Sequence, residues 1–201
     1  MDFSERRTHF SPYTAARCVA NFIKGGKIMT NEVLENIKKR RSVRAFKTEA
    51  VPRELLEAVC EAGTYAPTGK GRQSPTIIAV TDEKYRKELS RLNAEFLGKD
   101  CDPYYGAPVI IIVLAEGSVN TFVEDGSCVL ENMMLAAASL NLGSVWIHRE
   151  REIFDCEQGK KLLREWGLPE TLRGVGALAL GYPAVSAAEP AKRKDNYVLY
   201  K

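Results

Sequence analysis

The sequence predicts a mixed αβ domain, and three features predict it. Apolar, β-rich runs at Thr76–Thr81, Val109–Leu114 and Val175–Leu180 alternate with segments of helical periodicity. Residues 127–141 are apolar around nearly their whole circumference, which demands burial on every side. A chain of 201 residues buries about 70% of its unfolded surface, so it needs no disulfide or metal to hold a core.

Composition narrows the class further. An apolar share of 45% and a charged share of 27% exclude collagen-like, low-complexity and mostly disordered chains. The longest apolar run, Ala107–Ala115, is far short of the roughly 18–20 residues that cross a bilayer, so no membrane partner is expected. The net charge of +3 lies entirely in residues 1–28, where Arg6, Arg7, Arg17, Lys24 and Lys27 face only Asp2 and Glu5. The neutral remainder makes a poor polyelectrolyte, so nucleic acid is not an expected ligand. Two units follow: a basic extension over 1–28, without a signal-peptide core, and a globular domain over 29–201 that starts at the second methionine, Met29. The five cysteines are odd in number and contain no CxxC pair, which argues against zinc or a disulfide framework and for reduced thiols in the cytoplasm.

Each element has a local reason. Val33, Leu34 and Ile37 share one helical face opposite Glu32, Lys38 and Lys39, and that helix runs into Arg40-Arg41-Ser42-Val43-Arg44. Pro52 opens a second helix in its first turn, with Leu55, Leu56, Val59 and Cys60 as the buried stripe and Gly63 near the end. A Pro/Gly loop follows, then the strand at Thr76–Thr81. Asp82 caps a helix that turns Tyr85, Leu89, Leu92 and Phe96 inward. Val109–Leu114 is apolar on both faces and belongs at the centre of a sheet. After the apolar helix come a short strand at Gly143–Ile147, a helix over 157–166 closed by Gly167 and Pro169, and the strand at Val175–Leu180. The tail Tyr197–Tyr200 is short and β-prone.

Several familiar chemistries are missing. With two histidines, His9 and His148, no HExxH zinc site exists, and no GxSxG elbow is present. Gly69-Lys70 lacks both the spacing and the following Ser/Thr of a phosphate loop. Gly174, Gly176 and Gly181 lie inside a strand, where a dinucleotide fingerprint does not work. Two segments remain. If the backbone extends after Arg40, then Arg40, Ser42 and Arg44 converge on one anionic, planar ligand, two guanidinium forks and a hydroxyl suiting a phosphate and a ring carbonyl. The plainer alternative is a solvated basic helix end. Ala66-Pro67-Thr68-Gly69-Lys70-Gly71-Arg72-Gln73-Ser74-Pro75 combines rigid prolines with glycines that let a flat ligand approach. Gln73 there offers the donor and acceptor that a uracil-like edge requires, although an ordinary connecting loop also fits. Lys192-Arg193-Lys194 adds either phosphate charge or a solvated basic run.

Taken together, these segments resemble the FMN-dependent nitroreductase family. RRSVRAF matches its Arg-x-Ser-x-Arg/Lys opening, and APTGKGRQSP its Ala-Pro-Ser/Thr loop. GAPVIIIVL, the apolar helix ending in NLGSVWI, GVGALALGYP and the KRK tail follow in the family's order, from Met29 to Lys201. Gly71 stands where many members carry Asn, and Ser74-Pro75 where they carry Pro-Trp. The resemblance implies an α+β three-layer sandwich with a mostly antiparallel sheet, assembled as an intertwined homodimer with FMN sites at the interface. It implies that Arg40, Arg41 and Ser42 hold the phosphate and ribityl end, with Arg44 at the ring near N1/O2. Pro67 would join the cofactor-binding loop, Thr68 and Gly69 would come from the partner copy, Gln73 would meet the pyrimidine edge, and Trp146 and Ile147 would flank the ring. Arg193 or Lys194 would reach the phosphate.

The chemistry so implied is ping-pong transfer of electrons from NADH or NADPH through flavin N5 to a small oxidised acceptor, a nitroaromatic or quinone. No side chain acts as nucleophile or base, so no catalytic residue is assigned. Positive charge from Arg44 at N1/O2 favours the reduced cofactor. Other readings are a same-fold flavoprotein performing reductive dehalogenation or flavin processing, with Gly98–Tyr105 as a short lid, and a flavin-binding protein without turnover. A third is a basic-arm module that binds an acidic partner.

Overall fold

The structure, a computed structural model, describes residues 30–201; the basic extension over 1–28 lies outside the described residues. In chain order the elements are α1 (Glu32–Lys39), α2 (Arg53–Thr64), β1 (Pro75–Val80), α3 (Glu83–Leu97), β2 (Val109–Glu116), α4 (Phe122–Ser139), β3 (Gly143–Ile147), α5 (Glu150–Asp155), α6 (Glu157–Glu165) and β4 (Leu172–Gly181). The four strands form one antiparallel sheet in the order β1-β2-β4-β3.

Alternation along β2 divides the interior. Ile110, Ile112 and Leu114 face a core with Leu89 and Leu92 of α3, Phe154 of α5 and Leu163 of α6. Val109, Ile111 and Val113 face a second core with Val59 of α2 and Val129, Leu130 and Met133 of α4. The result is a three-layer α+β sandwich with helices on both faces of the sheet. β2 is central because both its faces are covered, as its unbroken apolar run requires.

The caps follow the local chemistry. Asn31 accepts from the Leu34 amide at the start of α1, and Asp82 accepts from the Lys84 amide at the start of α3. Gly98 (φ 68°) ends α3 and Gly167 (φ 67°) follows α6, both left-handed. Proline 52 precedes α2 as its N-cap rather than sitting in its first turn.

Several elements differ from the sequence expectation. The apolar helix begins at Phe122, five residues early, because a polar first turn hides its start. Its circumference is covered by the sheet, α2 and α1, which Asn36 ties on through a 2.9 Å hydrogen bond to the Leu135 carbonyl. The helix α5 is six residues long, too short to show a helical periodicity, and the sequence predicts no element there. Phe96 is 44% exposed, and Asn93 takes the buried place on α3 because its amide serves a polar network. β4 extends to Leu172, and a bulge between Val113 and Leu114 of β2 offsets its pairing with β4 at Gly176 and Gly174. The tail Tyr197–Tyr200 forms no strand and is exposed. Among the described residues, no helix is long and apolar enough to cross a membrane.

Candidate functional site

Helix α1 delivers the first group of candidate residues. At Arg40 the backbone leaves the helix (φ −53°, ψ 135°), so the next residues run extended. The Val43 amide donates to the Ser144 carbonyl at 3.0 Å, and Ser42 bridges Ser144 beside β3. The buried Val43 side chain packs where a Cβ on Gly143 would lie 2.9 Å away, so that glycine admits the segment. Arg41 turns back on the chain: its Nη1 donates to the Lys38 and Arg40 carbonyls, and its Nε donates to the Ala188 carbonyl at 3.1 Å. That last bond ties the C-terminal tail to the end of α1.

The outcome is a cleft of about 630 Å³ walled by Ile37, Lys38, Arg40, Arg41 and Ser42 on one side and by Pro190, Ala191 and Arg193 on the other. Arg40 lines this cleft, and its Nη1, buried behind the cleft surface, has no hydrogen-bond partner among the described residues. A buried guanidinium nitrogen without an acceptor is costly, and an anion at this place would satisfy it. Arg44 is exposed and does not line the cleft. Lys194 lies 5.0 Å over the Tyr197 ring, outside it.

The second group sits on the loop between α2 and β1. A 3₁₀ turn at Gly69–Gly71 is followed by Arg72, and Lys70, Gly71 and Gln73 all take left-handed backbone at φ 57°, 65° and 52°. Thr68 Oγ1 accepts from the Gln73 amide at 3.0 Å, closing the loop on itself. Thr68 and Gln73 line a cleft of about 320 Å³ with Gly63, Ala66, Ile77 and Val129. Gly69 is backed by α4: a Cβ there would fall 2.4 Å from Thr121 Oγ1. Pro67 precedes this group without lining the cleft.

Sequence reasoning missed the residue that anchors this loop. Asp125, in the first turn of α4 and 3% exposed, accepts from the Gly69 amide at 2.8 Å, from Thr121 Oγ1 at 3.2 Å and from Ser74 Oγ at 3.4 Å. Its only signal in the sequence was the acidic pair Glu124-Asp125 just ahead of the apolar run.

Trp146 and Ile147 end β3 on opposite faces. Half-buried Trp146 turns toward α4, with Nε1 2.8 Å from where a Cβ of Gly176 would be. Ile147 is buried in the other core. The following residues are locked from behind. Arg149 is left-handed (φ 85°), and its Nε donates to Asn93 Oδ1 at 2.8 Å. Asn93 Nδ2 donates to the His148 carbonyl at 2.9 Å. Glu150 is fully buried and accepts from the Tyr104 hydroxyl at 2.7 Å. Burial pushes the Glu150 carboxyl up to about 8 and raises the Tyr104 hydroxyl well above its ordinary value. Tyr104, expected in a lid over Gly98–Tyr105, is therefore a core residue, and Asp102 pins that segment by accepting from Ser90 Oγ and the Tyr104 and Gly106 amides.

The two groups thus occupy two clefts of one chain. Between them lies a groove of about 490 Å³ on α1, α2 and α4, with Val33 64% and Tyr65 79% exposed.

The chain and its fold are similar to those of known proteins. The profile of the Nitroreductase family matches residues 37–100 and 97–182. A Methanothermobacter thermautotrophicus protein provisionally named NADH dehydrogenase/NAD(P)H nitroreductase is 30% identical over 165 residues, 79% of this chain and 81% of its own. The Bacillus subtilis FMN reductase [NAD(P)H] is 27% identical over 176 residues, 79% of this chain and 69% of its own. The crystal structure of a nitroreductase with bound FMN from Bacteroides fragilis superposes with a TM-score of 0.79 at 34% identity, over 86% of this chain and 100% of that one.

Proposed function

The chain belongs to the nitroreductase family, and from that membership we infer that it is an FMN-dependent NAD(P)H oxidoreductase. The observation that carries the cofactor is the buried, partnerless Nη1 of Arg40, in a cleft shared with Arg41, Ser42 and Arg193. Convergent guanidinium groups and a hydroxyl are the donor set a phosphate monoester requires. The residues present fit FMN.

When bound, FMN supplies two-electron chemistry between NAD(P)H and a small oxidised acceptor such as a nitroaromatic or quinone. This chain's residues bind and orient. Arg40, Ser42 and Arg193 would hold the phosphate. Arg41 and Arg193 each already donate to carbonyls, Arg41 from Nε and Nη1 and Arg193 from Nε and Nη2 to Ala191, so the remaining Nη of each would reach the phosphate, and Arg41 also fixes the tail that carries Arg193. Arg44, exposed on the same extended segment, would bring positive charge to the ring. Thr68, Gly69 and Gln73 would receive the ring edge, with Trp146 and Ile147 beside it, Ile147 through its backbone because its side chain is core. No side chain needs to act as nucleophile or base.

The site is completed by a second copy. The phosphate-side and ring-side residues line separate clefts, and the apolar groove with exposed Val33 and Tyr65 lies between them. A homodimer burying that groove would bring the loop of one copy to the arginines of the other, as one FMN-binding domain over 29–201 working in the cytoplasm. The test is the visible spectrum of the purified protein before and after anaerobic NADH and NADPH. Flavin absorbance that bleaches with either donor and returns with a quinone or nitroaromatic is the expected result. Colourless protein that FMN cannot reconstitute overturns the reading.

A further inference from the structure

Asp125 is a nearly fully buried carboxylate that makes no salt bridge among the described residues. Both its oxygens are used. Oδ1 accepts from the Gly69 amide, and Oδ2 accepts from the hydroxyls of Ser74 and Thr121. Gly69 and Ser74 bracket the turn that carries Lys70, Gly71 and Gln73 in left-handed conformations. Two of these are not glycine, so the turn opposes its own side-chain sterics and needs an outside hold. The loop's internal bonds, Gln73 amide to Thr68 Oγ1 and Gly71 amide to the Thr68 carbonyl, close the turn but do not fix it to the body of the protein. Asp125 does that, from the first turn of a long helix whose dipole favours an anion there.

We propose that Asp125 is a positioning residue for the cofactor: by gripping the 69–74 loop at both ends from α4, it holds Thr68 and Gln73 in the arrangement that receives FMN. The inference rests on the FMN reading of the site. It assigns a binding role to a residue that touches no part of the cofactor cleft. What matters is the acceptor geometry, not the charge. Asparagine can still accept from the Gly69 amide, while its NH₂ donates to the Ser74 and Thr121 hydroxyls, which rotate to accept.

The experiment uses the full chain with FMN in titration and trypsin as a probe of the loop, whose Lys70 and Arg72 are exposed cleavage sites. Asp125→Ala is expected to raise the FMN Kd about tenfold or more and to speed cleavage at Lys70 and Arg72 without cofactor. Asp125→Asn is expected to stay within about threefold of wild type in both. Ile110→Val, which trims the core on the opposite face of the sheet, lowers Tm without moving either readout. If Asp125→Ala does not fold, Ser74→Ala removes one of the same bonds and is expected to raise Kd a few-fold and speed cleavage. Wild-type Kd and cleavage in whichever of these variants folds, with only Tm reduced, overturns the proposal. If wild type binds no FMN while Asp125→Ala still loosens the loop, the FMN reading falls and the anchor stands.

Discussion

Arg40 and Glu150 carry the two buried polar atoms without partners among the described residues, and they mean different things. Arg40 lines a cleft shared with other donors, and its unmet Nη1 lies beside the place proposed for an anion. Arg40→Ala should raise the FMN Kd by about 10–100-fold, the worth of a charge-assisted hydrogen bond, while the apoprotein's Tm stays level or rises because an unsatisfied group is gone. Fluorescence titration and apoprotein melting check the pair of outcomes. Glu150 is closed off with Tyr104 and Asn93, so its unmet Oε2 reflects a carboxyl that burial keeps protonated. In the unfolded chain this group ionises near ~4.3, whereas in the fold it holds its proton until about 8. Its contribution to stability is therefore full below about pH 4 and is lost as pH rises through 8. At about 1.4 kcal/mol per pH unit and about 2–4 °C per kcal/mol, Glu150→Gln should keep several degrees of Tm that wild type loses between pH 5 and 8.

At the scale of elements, the glycines of β4 explain themselves by contact. Gly174 and Gly176 superficially imitate a nucleotide fingerprint, yet one lies against the α5 backbone and the other under the Trp146 indole. A Cβ at Gly174 would sit 2.1 Å from the Glu150 backbone carbonyl, which cannot move aside. Gly174→Ala should cost about 3 kcal/mol or more in denaturant unfolding, displacing α5 and with it the residues that follow Trp146. The helices and strands themselves were mostly readable, since Leu89 and Leu92 or Val129 and Met133 announce their faces by spacing. The start of α4 was not, because Thr121 to Asp125 look like loop until the partner they hold, Gly69, is brought beside them. Phe96 was misplaced for a similar reason: helical spacing points it inward, but the protein stops short of covering it.

For the molecule as a whole, one copy carries the phosphate-side and ring-side residues in two clefts, separated by a face with exposed Val33 and Tyr65. On the homodimer proposed above, Val33→Glu with Tyr65→Glu is expected to shift the protein from dimer to monomer in light scattering and weaken FMN retention together, because two desolvated carboxylates oppose an apolar interface. Arg44→Ala, far from that face in role, should leave assembly intact while slowing reduction by NAD(P)H, as stopped-flow bleaching of the flavin would record.

The residue order by itself determined the αβ class, the central strand, the basic segment at the end of α1 and the Pro/Gly loop, because each is written in local periodicity or in backbone-restricting residues. Only the tertiary structure decided that Arg193 joins Arg40 while Arg44 stands clear, that Tyr104 is core, and that Asp125 holds Gly69. Those facts depend on segments 46 to 153 residues apart meeting at fixed angles, and burial and hydrogen-bond completion, which select among such meetings, leave no mark on the spacing of neighbours along the chain.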